Sequence, residues 1–229
     1  MKIEMEIELL QPWSTFVMKA QLPPWILEKM IKITDEIVED RAGKGDNPGA
    51  GQMEDQFYIE IEVLEREELL EFFLELCKIY IIQAYCQSMP ENKEEWLKEE
   101  YCTEMTAMWI NSQKDNEYFS DHIHTNCDLS TVMYLKIPEY LPSRKIRNTT
   151  EEDGAIIFTN NSSNYKIWGR PNFPIQPQVG EIFIFPASQN HQVYPFRTAA
   201  GKGESRSVSF NVKFTSKTEQ EELTIQEIQ

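Results

Sequence analysis

The stretch SDHIHTNCDLSTVMYLKIP (residues 120–138) joins a pair of histidines to an apolar segment. From Leu129 onward this segment is rich in Val, Thr, Met and Tyr, as β-strands are. His122 and His124 are two positions apart, and residues i and i+2 of an extended segment point to the same face. Both imidazoles can therefore converge on one point at the start of a strand.

The remaining histidine, His191, follows a second apolar segment in FPASQNHQVYPF (residues 185–196). A pair on one strand with a third residue from a neighbouring strand is how β-barrel metal sites are assembled, and neutral imidazole suits Fe, Zn, Cu and Ni. The chain has only three histidines, so all of them lie in these two motifs. An H-x-H pair alone is weak evidence, since three unrelated histidines at strand ends would give the same pattern.

Further strands are predicted on both sides of the H-x-H stretch. They are CTEMTAMWINSQ (102–113), GAIIFTN (154–160), GEIFIFPA (180–187) and SRSVSFNVKF (205–214). Polar loops at 139–153 and 160–179 separate some of them, and loops of that length are typical of lids or binding loops. Tyr165, Trp168 and Arg170 lie in the second loop and are expected to shape a substrate entrance.

The first hundred residues are predicted to be mainly helical. Pro23-Pro24 begins a helix that ends near Arg41, where the breaker-rich AGKGDNPGAG follows. A second helix is predicted from about Glu65 to Ser88, and a short third one in ENKEEWLKEE (91–100). Helices followed by strands indicate an α+β fold with the helices packed outside a β-sandwich or barrel.

We expect one domain over residues 1–229. Its parts would be a helical support (1–100), a strand region (101–214) and a charged tail (215–229).

The composition indicates which binding partners and which cellular compartment to expect. The net charge of −16 disfavours nucleic acids and anionic membrane surfaces as partners. No segment approaches the roughly 20 apolar residues of a membrane helix, and the N-terminus lacks the pattern of a secretory signal. The four cysteines form no C-x-x-C pair and are expected to be free thiols. These features predict a soluble cytoplasmic protein.

The motifs together resemble the 2-oxoglutarate- and Fe(II)-dependent oxygenases, in a prolyl-hydroxylase-like branch found in phages and some bacteria. Trp109-x-Asn111 resembles the opening strand of that branch, and H-x-H followed by Ser130 and KIP (136–138) resembles its metal block. GEIFIFP (180–186) with HQVYPF (191–196), and SVSFN (207–211), resemble its later blocks. The resemblance spans about residues 100–214.

The resemblance implies a double-stranded β-helix (a jelly-roll, cupin-like fold) that holds one Fe(II) at its open end. It places His122, His124 and His191 at the metal positions. It further implies an enzyme that uses 2-oxoglutarate and O2 to hydroxylate a peptide or small-molecule substrate, with release of succinate and CO2. The compartment would be the host cytoplasm if the chain is phage-encoded.

One departure from the superfamily concerns the third ligand. His124 stands where most members have Asp, although the phage branch itself shows H-x-H. Asp121, Asp128 and Cys127 are close in sequence and could supply a further ligand. Asp121 should face away if the strand is regular, so a three-histidine site is favoured.

A second departure concerns the anchor for the distal carboxylate of 2-oxoglutarate. Aligned on Asn211, Ser205 stands at the arginine position and Arg206 comes one residue late, which in a regular strand turns it to the opposite face. A bulge could restore Arg206 to the site. Lys136 is the alternative, because counting by twos places it on the face of Tyr134.

The resemblance adds three residues to the predicted cosubstrate site. Tyr134 matches a position that hydrogen-bonds the same carboxylate in prolyl-hydroxylase-like members. Ser207 lies on the closing strand, and Gln113 falls close to a cosubstrate-contacting tyrosine of relatives.

Two other functions stay open from the sequence. One is a three-histidine, cupin-like dioxygenase that uses no 2-oxoglutarate. The other is a non-catalytic jelly-roll binding module whose histidines hold a structural metal or none. An inward basic residue beside Tyr134 favours the oxoacid enzyme, because only that enzyme needs a dicarboxylate anchor. A structural metal site would usually have four ligands.

Overall fold

The fold consists of two antiparallel sheets with helices on one side. The computed structural model describes residues 5–10, 16–45, 51–141, 153–160 and 171–218. In these ranges the strands are β1 (Ile7–Leu10), β2 (Val17–Gln21), β3 (Gly51–Gln52), β4 (Gln56–Tyr58), β5 (Tyr101–Lys114), β6 (Tyr118–His122), β7 (Leu129–Lys136), β8 (Ile156–Thr159), β9 (Asn172–Ile175), β10 (Glu181–Pro186), β11 (His191–Val193) and β12 (Glu204–Ser216). The helices are α1 (Pro24–Asp40), α2 (Ile61–Arg66), α3 (Leu70–Ser88) and α4 (Lys93–Trp96), with a 3₁₀ turn at Pro90–Asn92.

The strands divide into a large and a small sheet. The large sheet has the order β1-β2-β10-β7-β12-β5-β4, and the small sheet has the order β3-β6-β11-β8-β9. All pairings within the two sheets are antiparallel. This confirms the predicted α+β class and the double-stranded β-helix.

The two faces of the large sheet have different roles. Val208, Phe210 and Val212 of β12 are fully buried in the main core, which also contains apolar residues of α1, α2 and α3. The alternate residues Ser207 and Ser209 point to the other face, toward the small sheet. Between the sheets lies a smaller apolar cluster, formed by Val17, Val132, Tyr134, Ile156, Phe158, Phe183 and Phe185. Alternate residues of β12 thus have different roles: one set packs against the helices, and the other faces the space between the two sheets.

Helix α1 forms much as predicted. Proline at its first turn is compatible with helix initiation, and Arg41 ends the helix in the left-handed conformation with φ 52°. Its buried residues Ile26, Met30 and Ile33 recur at helical spacing and join the main core.

The second predicted helix is two helices. α2 ends at Arg66, and Glu68 has a positive φ of 59° before α3 begins at Leu70. A left-handed residue cannot continue a right-handed helix, so the chain turns there. The third predicted helix is also shorter than expected, since only Lys93–Trp96 is α-helical.

The prediction of a mainly helical first hundred residues was incomplete. β2 pairs with β10 and β4 pairs with β5, so the large sheet extends to both sides of the predicted strand region. β3 likewise adds to the small sheet by pairing with β6. These N-terminal strands have two to five residues, too few to show a clear alternation.

The five strands predicted from the sequence are all present, as β5, β7, β8, β10 and β12. The short strands β6, β9 and β11 were not predicted. Of the predicted loops, residues 142–152 and 161–170, with Tyr165, Trp168 and Arg170, lie outside the described residues, as do 219–229 of the tail. β12 itself continues to Ser216, two residues into the segment that was expected to form the tail (215–229).

Two further findings concern the described residues as a whole. None of their helices is long and apolar enough to cross a membrane. None of the four cysteines forms a disulfide bond: Cys77 and Cys86 are buried, Cys102 is exposed and Cys127 is partly exposed.

Candidate metal centre and adjoining cavity

The three histidines converge between the two sheets. His122 ends β6 and is paired directly with His191, the first residue of β11, while His124 follows two residues after β6. The backbone N–H of His124 donates to Ala187 O at 2.9 Å, which holds this segment against the end of β10. One ring nitrogen from each histidine lies within 4.8 Å of the others. The sequence predicted this convergence from the H-x-H spacing and the position of His191.

Backbone carbonyls orient two of the rings. Nδ1 of His122 lies 2.7 Å from Ser120 O, and Nδ1 of His191 lies 2.9 Å from Gln189 O. Because a carbonyl oxygen can only accept, both Nδ1 atoms carry the hydrogen. The Nε2 lone pairs of these two rings are therefore free, as a metal ligand requires.

The environment keeps two of the rings neutral. Burial, and next the nearby His122, lowers the pKa of His124 to about 4. Burial, and next His122, lowers the pKa of His191 to about 3. Burial disfavours the charged form, so both imidazoles are unprotonated at neutral pH and can donate a lone pair.

No carboxylate or thiolate joins the three histidines among the residues that the structure describes. Oδ2 of Asp121 accepts from the Asn190 side chain at 3.1 Å on the surface. Oδ2 of Asp128 accepts the backbone N–H of Phe214 at 2.9 Å. Both carboxylates thus have contacts elsewhere, and Cys127 stands outside the cluster as well.

A cavity of about 460 Å³ adjoins the histidines. Its described lining contains aromatic and amide side chains, among them Phe57, Trp109, Phe119, Gln56 and Asn111, but no Lys, Arg, Asp or Glu. The Trp109 ring lies 5.7 Å from the His124 ring, between centroids. The cavity is therefore a largely neutral space with the three imidazoles at one side.

A buried amide chain crosses the cavity wall and had no predicted role. Gln56 Nε2 donates to Asn111 Oδ1 at 2.7 Å, and Asn111 Nδ2 donates to Ser209 Oγ at 3.3 Å. It ties β4 to β5 and β12 beside the site. The only sequence signals were Asn111 in the W-x-N strand and Ser209 in the closing strand, whereas nothing local pointed to Gln56.

Tyr134 presents an unpaired donor. It lines the cavity, and its hydroxyl oxygen is buried without a hydrogen-bond partner from any residue that the structure describes. Burial, followed by the neighbouring Tyr140 and Glu181, raises the pKa of Tyr134 far above its ordinary value, so the hydroxyl keeps its proton. A buried unsatisfied hydroxyl is costly unless a ligand or water completes it.

Arg206 does not face this cavity. Its side chain, only 4% exposed, donates to Asp35 of α1 at 2.5 Å and to Glu204 at 2.7 Å. It shares the helix-facing side of β12 with Val208, as the simple count of residues along a regular strand had indicated. The sequence had left open that a bulge turns Arg206 toward the cavity, and the structure does not place it there.

Lys136 also lies on the helix side, contrary to the prediction that it shares a face with Tyr134. The pairing of β7 with β12 shifts between Arg206 and Ser207: Arg206 opposes Lys136, whereas Ser207 opposes Tyr134. The extra residue, Leu135, breaks the alternation and turns Lys136 toward Asp35, to which its Nζ donates. Neither predicted basic anchor therefore contributes to the described lining.

The other two predicted residues, Ser207 and Gln113, do line the cavity. The Gln113 side-chain amide donates to the backbone oxygens of Glu117 at 2.6 Å and Tyr194 at 3.2 Å. These bonds fix its side chain between β5 and the segment after β11. Its side-chain oxygen is left as the group available to a ligand.

Comparison with known protein families gives one match. The family described as "Putative 2OG-Fe(II) oxygenase" matches residues 107–211. This segment contains all three histidines and most of β12. No curated protein matches the sequence.

Solved structures share the fold at low identity. A prolyl hydroxylase from Trichoplax adhaerens, in complex with a hypoxia inducible factor peptide fragment, is 10% identical over 90% of this chain and 83% of that chain, with a TM-score of 0.52. HygX from Streptomyces hygroscopicus, with nickel, 2-oxoglutarate and hygromycin B bound, is 10% identical over 88% and 83%, with a TM-score of 0.51. SnoN, an α-ketoglutarate-dependent epimerase from nogalamycin biosynthesis, is 10% identical over 86% and 78%, with a TM-score of 0.52.

The family match and the clustered histidines lead to the same conclusion as the motifs in the sequence. Residues 107–211 are therefore similar to the 2OG-Fe(II) oxygenases, and this match together with the histidine cluster indicates a 2-oxoglutarate-dependent oxygenase with Fe(II) and 2-oxoglutarate as cofactors.

Proposed function

We propose that the protein hydroxylates a C–H bond of a peptide or small molecule, with Fe(II) held by His122, His124 and His191. The observation that carries this proposal is the convergence of the three ring nitrogens within 4.8 Å beside a cavity. The donor set fits the metal, because neutral imidazole is a suitable ligand for Fe(II) and three protein ligands leave coordination positions open. When bound, Fe(II) with 2-oxoglutarate and O2 supplies the oxidation of C–H to C–OH, with succinate and CO2 as coproducts.

Tyr134 is our candidate for holding the distal carboxylate of 2-oxoglutarate. Its buried hydroxyl has a proton to donate and no hydrogen-bond partner among the described residues, so an anionic acceptor in the cavity could receive this hydrogen bond. Ser207 lies directly opposite Tyr134 on β12 and lines the same cavity. We assign Ser207 and the Gln113 side-chain oxygen as further polar contacts of the cosubstrate.

We assign no cosubstrate contact to Arg206 or Lys136. Both pair with Asp35 on the helix side of the large sheet. To reach the cavity, either side chain would have to cross the sheet and leave a buried or half-buried ion pair behind. The proposed role of both is to join α1 to β7 and β12.

The surroundings of the site also bear on the substrate. The described cavity lining carries no Lys or Arg that could pair with a phosphate, and the chain has a net charge of −16. Aromatic side chains such as Trp109 and Tyr58 offer apolar contact area in the cavity that the histidines adjoin. These features support a neutral peptide segment or small molecule over a nucleic acid.

A second candidate is a three-histidine dioxygenase that needs no 2-oxoglutarate. It is favoured by the lack of a carboxylate in the histidine cluster and by the lack of Lys and Arg in the described lining. The two candidates differ in one measurable respect, which is the dependence of oxygen consumption on the oxoacid.

Anaerobic reconstitution with Fe(II), followed by titration with 2-oxoglutarate, tests the proposal. We expect a metal-to-ligand charge-transfer band that saturates with 2-oxoglutarate, and succinate formation after air is admitted. The His122→Ala and His191→Ala variants should show neither. Iron uptake without any response to 2-oxoglutarate would favour the second candidate, and no iron uptake by the wild type would exclude both.

A further inference from the structure

The three histidines differ in what holds their second ring nitrogen. His122 and His191 each donate from Nδ1 to the backbone carbonyl two residues earlier in the chain. Nδ1 of His124 instead lies 3.4 Å from the side-chain amide nitrogen of Asn211 on β12. The ring that replaces the usual carboxylate ligand is therefore the one with a side-chain partner.

The chemistry of this contact depends on which end of the Asn211 amide faces the ring. If the amide N–H donates to Nδ1, the hydrogen of the neutral imidazole sits on Nε2, and Nε2 cannot bind a metal. If the amide oxygen accepts from Nδ1–H, Nε2 is free, as it is in His122 and His191. The two arrangements differ only by a half-turn of an amide whose nitrogen and oxygen are nearly the same size.

An unpaired atom decides between these arrangements. Asn211 Oδ1 is buried and has no hydrogen-bond partner in the part of the chain that the structure describes, which is an unfavourable state for a carbonyl oxygen. The half-turn brings this oxygen to the Nδ1–H of His124. Ser130 lies directly opposite Asn211 on β7, and its Oγ is also buried without a partner among the residues described. It offers an acceptor on the same face of the sheet for the amide N–H.

The strand geometry supports a specific placement of Asn211. The pairing of β12 with β5 shifts immediately after it, since Asn211 opposes Ala107 whereas Val212 opposes Met105. A bulge at such a point re-aims the neighbouring side chains and is common beside active sites. Asn211 also lines the cavity that the three histidines adjoin.

We propose that Asn211 is a positioning residue whose side-chain oxygen accepts the Nδ1 hydrogen of His124 and so directs the His124 Nε2 toward the metal. This inference rests on the proposed metal site and deepens it. An amide performs this task without adding a charge, whereas an aspartate in its place would make the site more negative. It explains how an imidazole is oriented at a position where most of the superfamily has a carboxylate.

The tautomers can be read from long-range ¹H–¹⁵N NMR spectra of the ¹⁵N-labelled, metal-free protein at neutral pH. Only three histidine rings contribute signals. In the wild type we expect all three rings to carry the hydrogen on Nδ1. Asn211→Ala should move the His124 ring toward the Nε2–H tautomer and leave His122 and His191 unchanged, whereas Asn211→Asp, which can only accept, should retain the wild-type pattern.

Fe(II) affinity gives the second readout. We expect Asn211→Ala to weaken anaerobic Fe(II) binding about 10- to 100-fold, as loss of such outer contacts does in other metal sites, and Asn211→Asp to restore it. The matched control is Asn172→Ala, on an exposed position of β9 away from the cavity, which should leave both readouts unchanged.

The outcomes separate this inference from the proposed function. A His124 ring protonated on Nε2 in the wild type, or an Asn211→Ala protein with unaltered His124 signals and Fe(II) affinity, overturns the role of Asn211 while the metal site stands. A wild-type protein that binds no Fe(II) overturns the proposed function, and with it the positioning role.

Discussion

His122 and His191 lie directly opposite each other on the antiparallel strands β6 and β11, with ring centroids 4.3 Å apart. These strands belong to the small sheet, and His124 reaches the same point from the segment that leads into β7 of the large sheet. The site therefore depends on both sheets staying in register. A slip of one residue in either strand would turn one imidazole to the other face.

The first prediction concerns Tyr134. Tyr134→Phe removes the hydroxyl but keeps the ring, which packs edge-on against Phe183 at 6.2 Å. We expect binding of 2-oxoglutarate to the Fe(II) protein to weaken about 10- to 100-fold, because a hydrogen bond to a charged group contributes about 1.5–3 kcal/mol. Fe(II) affinity should be unchanged. Equal 2-oxoglutarate affinity in the two proteins would remove Tyr134 from the cosubstrate site.

The second prediction separates structural from binding roles of the basic residues. Arg206→Met leaves Asp35 and Glu204 without their shared partner, and we expect the free energy of unfolding to fall by about 1–3 kcal/mol in urea titrations. The affinity for 2-oxoglutarate should stay within about twofold of the wild type, since the side chain lies on the helix side.

Lys136→Met is the matched variant, because Lys136 joins the same carboxylate from β7. We expect a smaller loss of stability, since this side chain is 35% exposed and its ion pair is partly screened by solvent. A large loss of 2-oxoglutarate affinity in either variant would show that the side chain reaches the cavity after all.

The third prediction concerns acid stability. Burial raises the pKa of Asp35, but hydrogen bonds from Lys136 and Arg206 outweigh it, so the pKa lies below its usual range. Burial also raises the pKa of Glu204, but hydrogen bonds from Ser112 and Arg206 outweigh this effect. The pKa of Glu204 therefore lies below its usual range as well. A carboxylate with a lowered pKa stabilises the folded state above its unfolded pKa, about 3.9 for Asp and 4.3 for Glu, and loses this contribution as the pH falls through the folded value.

Arg206→Met should therefore cost less stability in acid than at neutral pH. The measurement is the difference in unfolding free energy between wild type and variant, taken by urea titration at pH 7 and again below about pH 4. Comparing the two proteins at each pH cancels the contribution of other carboxylates in this acidic chain. A difference that does not shrink on acidification would contradict the assigned ion pairs.

The parts of the site that could be predicted lie close together along the chain. The H-x-H spacing placed His122 and His124 on one face, and the strand after them was long enough to show its character. His191 could be added because it ends another apolar strand. Local period and composition are sufficient for such features.

The parts that could not be predicted depend on distant contacts or on a local irregularity. Lys136 turns to the helix side because Leu135 is an extra residue in β7, and a bulge leaves no mark in the alternation of residue types. The partner of Arg206, Asp35, is 171 positions away in the chain. Gln56 of β4 reaches the cavity through an edge strand of three residues, too short for a sequence pattern.

The central claim is that three histidines, without a carboxylate, hold one iron. Its most direct test is the metal content of the protein after anaerobic reconstitution with Fe(II) and removal of unbound metal. The claim predicts one iron per chain in the wild type, a large loss in His122→Ala, His124→Ala and His191→Ala, and full retention in Asp121→Asn and Asp128→Asn. Iron content that survives in the histidine variants, or that is lost in either aspartate variant, would contradict it.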